Sequence, residues 1–273
     1  MTLLSLSIEN TDTTTCHNLG MKMKKTVIAL GLAFASASAS AAPLVDVWAG
    51  AYAWNTTYEG LVSANPNSLD LQDDLNLEDS TNNVVWAAFE HPIPVIPNIQ
   101  IKQTTLDTTG FAQFDNNYRF GGETTGDGRL DVVTDLSHTD YTLYWGLPLP
   151  VVTIDFGLNV RKFDGFVSIG NATADLDSPV PMLFARVGAE LPFTGLAIMG
   201  EANYVGYGDT DHTDFQIVLR YTLPMIPVLD VNLEAGYRSF QLNIDPTDFD
   251  GDEDDLMADI DMSGAFVGLS LHF

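Results

Sequence analysis

The chain has little cysteine, few basic residues and no long apolar run. Its one cysteine, Cys16, follows three threonines rather than the apolar residues that a lipoprotein signal places there. A fold held together by disulfides is therefore excluded. Although 45% of the residues are hydrophobic, no run approaches the roughly 20 apolar residues of a spanning helix. A helical membrane protein is excluded as well.

Basic residues are scarce: 11 Lys and Arg stand against 37 Asp and Glu, for a net charge of −26. A nucleic-acid partner is excluded, because phosphates are bound by Lys and Arg. Disorder is excluded too, because the chain carries 4 Trp, 9 Tyr and 15 Phe, which acidic disordered chains lack. The sequence contains neither a G-x-S-x-G elbow nor paired Cys/His metal spacing. It therefore indicates no catalytic nucleophile and no cofactor.

The start of the chain has the pattern of a secretory signal peptide. Residues 21–25 are basic, residues 26–34 are apolar and residues 35–42 are small. Ala39 and Ala41 fit the A-x-A cleavage rule, whereas a buried helix is the alternative interpretation. We therefore expect a signal peptide at 21–41 and a mature domain at 42–273. Residues 1–20 are polar and Thr-rich, and we interpret them as an upstream extension from a start codon assigned too early.

Proline-containing segments divide the mature chain into strands. They are residues 91–97, 147–150, 191–195 and 223–227, and they are expected to be turns because proline cannot donate to a strand ladder. Alternating sequence flanks each turn, and polar segments rich in Gly, Asn, Asp and Thr lie between. We predict strands at 44–54, 83–91, 98–108, 136–147, 153–163, 180–191, 195–206, 213–223, 228–242 and 258–273. This makes ten strands with five long loops, four short turns and both ends on one side.

Charged and apolar residues occupy opposite parities of these strands. In strand 153–163, Ile154, Phe156 and Leu158 alternate with a parity that holds Asp155 and Arg161. A soluble β-sandwich gives the same alternation with the faces inverted, so periodicity leaves both folds open. Strands of about ten residues favour a membrane barrel, since sandwich strands are commonly about 5–6 residues long. In the first strand both faces are apolar enough to meet lipid.

The final strand, 258–273, ends the chain on an aromatic residue. Leu269, Leu271 and Phe273 share one apolar parity, and Phe266 lies on the other. This strand resembles the terminal strand of bacterial outer-membrane barrels, which the barrel-assembly machinery reads as an address. The resemblance makes these four residues the expected assembly signal.

Further stretches resemble a family of proteobacterial outer-membrane barrel proteins of unknown function. They are residues 70–75, 90–98, 140–145, 181–186 and 236–240. The resemblance implies an all-β, transmembrane, antiparallel up-and-down barrel that is integral to the outer membrane. Its implied partners are membrane lipid, lipopolysaccharide, the barrel-assembly machinery and periplasmic chaperones. The resemblance implies no substrate and no catalytic residue.

If the apolar parity meets lipid, the charged parity lines the lumen. The expected lumen charges are Asp155, Arg161, Arg186, Glu201, Arg220, Glu234 and Arg238, within a wider set of Glu90, Lys102, Asp140, Glu190, Asp214 and Asp230. Acids and bases that are nearly balanced should pair, and a ten-stranded barrel lies near the size that side chains fill. We therefore expect a mostly occluded interior.

The acidic excess is expected mainly in the loops. Asp248, Asp250 and Asp252 form a run that is either solvated charge or a weak divalent-cation site. The spacing does not match an EF-hand, where glycine stands at position six, because Gly251 comes fourth here.

We therefore expect a non-enzymatic outer-membrane barrel in an envelope, surface-contact or narrow solute-passage role. Two alternatives stay open. One is an omptin-like outer-membrane hydrolase that uses His138 or His212. Both histidines are expected near loop ends among aspartates, where they are either part of such a site or solvated residues of the rim. The other is a specific small-solute channel. His91 and His272 are expected at the periplasmic end, where they are wrongly placed for that hydrolase chemistry.

Overall fold

The computed structural model describes residues 45–64, 67–120, 123–147, 149–224, 229–245 and 257–273. The upstream segment, the signal peptide with Ala39 and Ala41, and the acidic positions Asp248, Asp250 and Asp252 lie outside the described residues. What the sequence predicts for these positions stays a prediction.

Within the described residues the chain forms seventeen strands. They are β1 (Asp46–Ala64), β2 (Asn67–Asp70), β3 (Ser80–Glu90), β4 (Asn98–Thr104), β5 (Asp107–Phe114), β6 (Arg119–Phe120), β7 (Glu123–Thr124), β8 (Gly128–Asp135), β9 (His138–Gly146), β10 (Val152–Phe163), β11 (Gly165–Ile169), β12 (Ala172–Leu176), β13 (Pro179–Leu191), β14 (Leu196–Tyr207), β15 (Thr210–Leu223), β16 (Asp230–Ile244) and β17 (Ala258–His272). The described residues contain no helix that is long and apolar enough to cross a membrane.

Ten of these strands form one closed antiparallel sheet. The order is β1, β3, β4, β9, β10, β13, β14, β15, β16 and β17, and β17 pairs back to β1. At this seam the Trp48 ring stacks on His272 at 3.9 Å between ring centroids. Val47 and Phe273 exchange backbone hydrogen bonds of 3.0 and 3.3 Å. The predicted ten-stranded barrel is confirmed. The start of β1 and the end of β17 lie on the side of the short turns.

The two faces of the barrel settle the ambiguity between a sandwich and a membrane barrel. In β10, Phe156 and Leu158 are 53% and 59% exposed, whereas Arg161 on the other parity is fully buried. A soluble sandwich buries the apolar parity, so this arrangement is the inverse. Closure of the sheet lets neighbouring strands pair their backbone groups, as a lipid environment demands. An exposed apolar outer surface on such a barrel meets lipid. The protein is an integral outer-membrane β-barrel.

The first strand is longer than the sequence pattern predicts. β1 continues to Ala64, past the predicted strand end at residue 54, so Glu59 lies in the strand and not in the first long connection, loop one. Its two apolar faces are also resolved: Tyr52 and Trp54 point inward and are 5% and 0% exposed. The pairing of β1 with β3 ends at Thr56, whereas its pairing with β17 continues to Val62.

The prediction that the second and third long connections are polar loops is wrong. They form a four-stranded sheet in the order β12-β11-β8-β5. β5 and β8 continue the β4–β9 pair, and β11 and β12 continue the β10–β13 pair. Loop one adds to the edge of this sheet: Phe111 N donates to Leu75 O at 2.9 Å, and Glu78 N donates to Thr109 O at 3.1 Å. We call this sheet, with residues 71–78, the cap.

An apolar core joins the cap to the barrel. The cap contributes Leu71, Leu75, Leu77, Ala112, Phe114, Val132, Val167, Ile169 and Ala172, and the long strands contribute Trp54, Tyr58, Val62, Phe240, Leu242, Ile260 and Met262. Their burial explains why the loops fold, since each buried Leu, Ile, Val or Phe contributes about 1.5–3 kcal/mol. The core closes the loop side of the barrel.

The prediction of a fourth long loop, between β14 and β15, is also wrong. β14 and β15 are joined by a two-residue turn, with Tyr207 paired to Thr210. Gly208 has φ 64°, a conformation that glycine adopts without a steric penalty and that tight hairpins require. β15 therefore begins at Thr210, and His212 lies inside the strand rather than in a loop.

Candidate functional site

Two buried arginines and two buried aspartates fill the barrel below the cap. We call Asp140, Arg161, Asp214 and Arg238 the arginine–aspartate network. Arg161 donates from Nε and Nη2 to the two oxygens of Asp140, both at 2.7 Å. Its Nη2 also donates to Asp214 Oδ2 at 2.5 Å. Arg238 donates from Nε and Nη2 to the two oxygens of Asp214 at 2.8 and 2.7 Å.

The network is neutral and closely satisfied. Both arginines are fully buried, and Asp140 and Asp214 are 2% and 3% exposed. Burying an unpaired charge is costly, whereas bidentate Arg–carboxylate pairs compensate one another and fix the geometry. The remaining guanidinium nitrogen of Arg238 donates to Thr104 Oγ1 at 3.1 Å. The four side chains therefore form a rigid crossing inside the barrel rather than a hydrated pore lining.

Two buried histidines border the network, each with its proton position set by a backbone carbonyl. His138 Nδ1 lies 2.9 Å from Leu136 O, and His212 Nδ1 lies 2.6 Å from Gln241 O. A carbonyl oxygen only accepts, so each Nδ1 carries the proton and each Nε2 is an acceptor. His212 Nε2 accordingly accepts from Arg161 Nη1 at 2.6 Å.

The expected rim position of these histidines is wrong. His138 and His212 are both 2% exposed. Phe163 and Phe240 cover them, with centroid distances of 5.4 Å from Phe163 to His138 and 4.5 Å from Phe240 to His212. The physical reason is the apolar core above them, which extends the filled interior beyond the predicted strand ends. Neither histidine is solvated surface.

One group of described residues has metal-ligating side chains close together. The ligand atoms of His138, Asp140 and Asp214 lie within 4.8 Å of one another. However, both carboxylates already accept from guanidinium groups, and Arg161 and Arg238 place two positive charges at the same point. A cation would meet this positive charge before it met a free carboxylate. The group fits an ion-pair network and not a metal site.

A second ion-pair group lies nearer the short turns, around Arg186. Its Nε is 3.0 Å from Asp155 Oδ2 and 4.0 Å from Glu201 Oε2. The guanidinium carbon also lies 4.7 Å from the centre of the Tyr144 ring, a cation–π contact. Tyr144 in turn donates to Glu90 Oε1 at 2.5 Å. One arginine therefore lies among three acids from different strands, Glu90, Asp155 and Glu201.

The interior is completed by two more pairs. Lys102 pairs with Glu201 inside the barrel, and Arg220 Nε donates to Glu234 Oε1 at 2.8 Å. Ser270 also donates to Glu234 Oε1, at 2.7 Å. Between these pairs lies a cavity of about 30 Å³. A water needs about 10–15 Å³ of such space, so the cavity has room for water and not for a solute.

The structure places all seven expected lumen charges on the inward parity. They are Asp155, Arg161, Arg186, Glu201, Arg220, Glu234 and Arg238, and each takes part in an ion pair. Two members of the wider set, Glu190 and Asp230, are exposed at the turn side. The sequence also missed the part played by Tyr52, which accepts from Arg238 Nη1 at 3.3 Å and donates to Gln216 Oε1 at 3.0 Å. The sequence carries no local signal of this role, because Gln216 and Arg238 lie 164 and 186 residues away from Tyr52.

The expected assembly signal is divided between the two faces of β17. Phe266 points inward, is 2% exposed and stacks on Tyr52 at 4.4 Å. Leu269 points to lipid and is 52% exposed. Leu271 and Phe273 are partly buried. The apolar parity of the final strand therefore lies on the outer surface, beside the seam.

The cap carries a surface pocket of about 330 Å³. It lies between loop one and the β5–β8 hairpin and is lined by Ser68, Leu69, Asp74, Gln113, Phe114 and Tyr118. Phe114 is 5% exposed, and its ring lies 4.7 Å from the Tyr118 ring. The pocket thus combines a buried apolar base with polar groups at its edge.

No family model matches the chain, and none of the curated proteins matches it. Among solved structures, the outer membrane protease OmpT from Escherichia coli is similar at 10% identity and a TM-score of 0.47, over 87% of this chain and 99% of that one. The translocator domain of the autotransporter NalP from Neisseria meningitidis is similar at 12% identity and a TM-score of 0.42, over 94% and 96%. A loop L8 deletion mutant of OmpT, an outer membrane protein of Vibrio cholerae, is similar at 12% identity and a TM-score of 0.27, over 84% and 99%. No residue of this chain takes a role from proteins this distant.

Proposed function

We propose that the protein is a non-enzymatic, non-conducting outer-membrane barrel that serves the envelope and makes surface contacts through its cap. The observation that carries this proposal is the closed interior. The arginine–aspartate network crosses the barrel, and the apolar core of the cap covers it. A channel needs a continuous aqueous path, whereas the cavity between the interior ion pairs of the described residues holds only about 30 Å³.

The hydrolase alternative is disfavoured by access. General acid–base chemistry requires a histidine within hydrogen-bond reach of the substrate. His138 and His212 lie under phenylalanine rings, and their ring nitrogens are held by carbonyl and guanidinium groups. The surface pocket on the cap, by contrast, is open to a ligand and supports a contact role.

Reconstituted protein is expected to give no discrete single-channel steps in planar bilayers, because the network and the cap close the interior independently. A variant in which a short Gly-Ser linker replaces residues 107–135 is also expected to stay closed, since the network remains. A general porin reconstituted in parallel serves as the positive control. Discrete steps from the unmodified protein would overturn the proposal in favour of a channel.

Incubation with a peptide library is expected to give no cleavage above that of buffer. His212→Ala is the matched variant, because it removes the histidine that a hydrolase would use. Cleavage by the unmodified protein that disappears in this variant would replace the proposal with the hydrolase.

Lipid, lipopolysaccharide, periplasmic chaperones and the barrel-assembly machinery are the proposed partners. Phe273→Ser tests the last of these, because the side chain is the proposed address while the backbone pairing with Val47 is kept. We expect outer-membrane yield in cells to fall several-fold and spontaneous refolding into lipid vesicles to be unchanged. Equal losses in both measurements would mean that Phe273 acts through barrel stability instead.

A further inference from the structure

Three short turns on one side of the barrel expose apolar side chains. They join β3 to β4, β9 to β10 and β13 to β14, and we call their described residues, 91–97, 147, 149–151 and 192–195, the rim turns. Their exposed apolar side chains include Ile93 at 52%, Val95 at 85%, Leu149 at 48%, Val151 at 51% and Phe193 at 109%. A patch of this kind on a soluble surface marks a contact with lipid or with another protein.

The described residues of the rim turns also lack acidic and strongly basic side chains, although His91 Nε2 is buried there without a hydrogen-bond partner. None of their described residues is Asp, Glu, Lys or Arg, and five are proline, which has no backbone N–H to satisfy. The remaining donors are largely used internally. Ile96 N donates to Ile93 O at 3.3 Å, Leu149 N donates to Leu147 O at 2.8 Å, and Thr194 N donates to Leu191 O at 3.2 Å. Backbone that pairs its own polar groups is what an apolar environment demands.

Two of the turns hold their apolar side chains at a conformational cost. Val151 has φ 60° and Phe193 has φ 67°. This left-handed region favours glycine and is unfavourable for a β-branched or bulky residue. Glycine would relieve the strain, so an apolar side chain at these positions indicates a compensating contact. At Phe193 the described residues offer no such contact, since this side chain is fully exposed.

The rim turns continue the lipid-facing surface of the barrel. Leu147 follows Leu143 and Trp145 on the outward parity of β9, and Leu191 continues the outward parity of β13, with Leu147 and Leu191 exposed by 47% and 53%. No polar residue interrupts this parity before the turns. The established lipid interface and the rim turns are therefore one continuous apolar surface.

The rim beside the seam has the opposite character. Asp46 and Asp230 keep 48% and 54% of their side chains exposed, and both lie 3.4 Å from His272. Acidic groups at this position require water or headgroup contact. Among the described residues, the turn side thus exposes apolar side chains at the turns from β3 to β14, with Glu190 exposed beside them, and acidic side chains at the seam.

We infer that the rim turns insert into the periplasmic leaflet, so that the barrel lies deeper in lipid on the β3–β14 side than at the seam. Apolar side chains at a membrane surface reach about 5–10 Å into the boundary between headgroups and acyl chains. A barrel with unequal apolar height accommodates this by tilting. The partner of this surface is lipid, and a periplasmic protein is the competing occupant.

Site-directed spin labelling tests the inference on the full chain. A Cys16→Ser background leaves each introduced cysteine as the only thiol. The test positions are Val95→Cys and Phe193→Cys. Leu158→Cys, in the middle of the lipid-facing surface, is the lipid standard, and Asp230→Cys, on the same rim beside the seam, is the aqueous standard. Each protein is reconstituted in phosphatidylethanolamine–phosphatidylglycerol vesicles, and the heat-modifiable gel band identifies correctly folded variants.

Power-saturation EPR then compares access to oxygen, which partitions into lipid, with access to a water-soluble nickel chelate. Labels at positions 95 and 193 are expected to resemble position 158, with a several-fold higher oxygen-to-nickel ratio than position 230. Nickel access equal to that at position 230 would overturn the inference. The inference would also be overturned if the nickel chelate reached the labels at positions 95 and 193 in pure lipid vesicles but not in native outer membranes. That result would assign the surface to a periplasmic protein.

Discussion

Arg161→Met is expected to lower the free energy of unfolding by about 3–5 kcal/mol, the range found when one partner of a buried ion pair is removed. The loss follows because Asp140 keeps no other ion-pair partner within hydrogen-bond distance among the described residues, and Asp214 keeps only Arg238. Urea unfolding of the barrel in lipid vesicles, followed by the heat-modifiable gel shift, measures it.

The neighbouring residue provides the control. Lys162 lies on the same strand but points outward, with 56% of its side chain exposed and a distance of 3.9 Å to Asp177. Lys162→Met should therefore change stability by no more than about 0.5 kcal/mol. The double variant Asp140→Leu/Arg161→Met should recover part of the loss, because it leaves no unpaired carboxylate at position 140. A double variant less stable than either single one would contradict the ion-pair account.

Phe240→Ala is expected to cost about 3–5 kcal/mol, since it leaves a cavity at a fully packed site. Phe240 is fully buried, and its ring lies 4.5 Å from His212 and 5.3 Å from the guanidinium carbon of Arg161. It therefore separates the arginine–aspartate network from the core of the cap. The same unfolding measurement in vesicles gives its contribution.

Phe215→Ala is the matched control, because this phenylalanine lies on the outward face of β15 and is 44% exposed. Lipid chains are as apolar as the side chains that they contact, so they can fill the space and the loss should be clearly smaller. Equal losses at positions 240 and 215 would mean that the cap does not form a packed core. A larger loss at position 215 would mean that the two faces of the strand have been exchanged.

The strands were accessible from the sequence because their signal is local. Residues such as Ile154 and Asp155 fall on opposite sides of the pleat whatever the strand pairs with, so the alternation gave the ten barrel strands and the inward set. The cap was missed although its strands alternate too: Ala112 and Phe114 are buried, and so are Val167 and Ile169. Their many Gly, Asp and Thr neighbours indicated loops, and a short polar strand is recognisable only once its partner is known.

The histidines illustrate the same limit. His138 and His212 stand beside aspartates in the sequence, which suggested a solvated rim or a hydrolase site. Their environment is decided instead by Phe163 and Phe240 and by the two arginines of the network. No local pattern distinguishes a histidine at a strand end in water from one beneath a folded cap.

The sequence by itself determined the number of barrel strands, the parity of each of them and the short apolar turns, because these depend on neighbours within a few residues. Only the tertiary structure decided which parity faces lipid, how the seam closes, and which charges pair. Those features join distant positions: Arg161 meets Asp214 across 53 residues, and Arg238 meets Thr104 across 134. A buried charge is stable only beside its partner, and closure of the barrel is what brings the partners together.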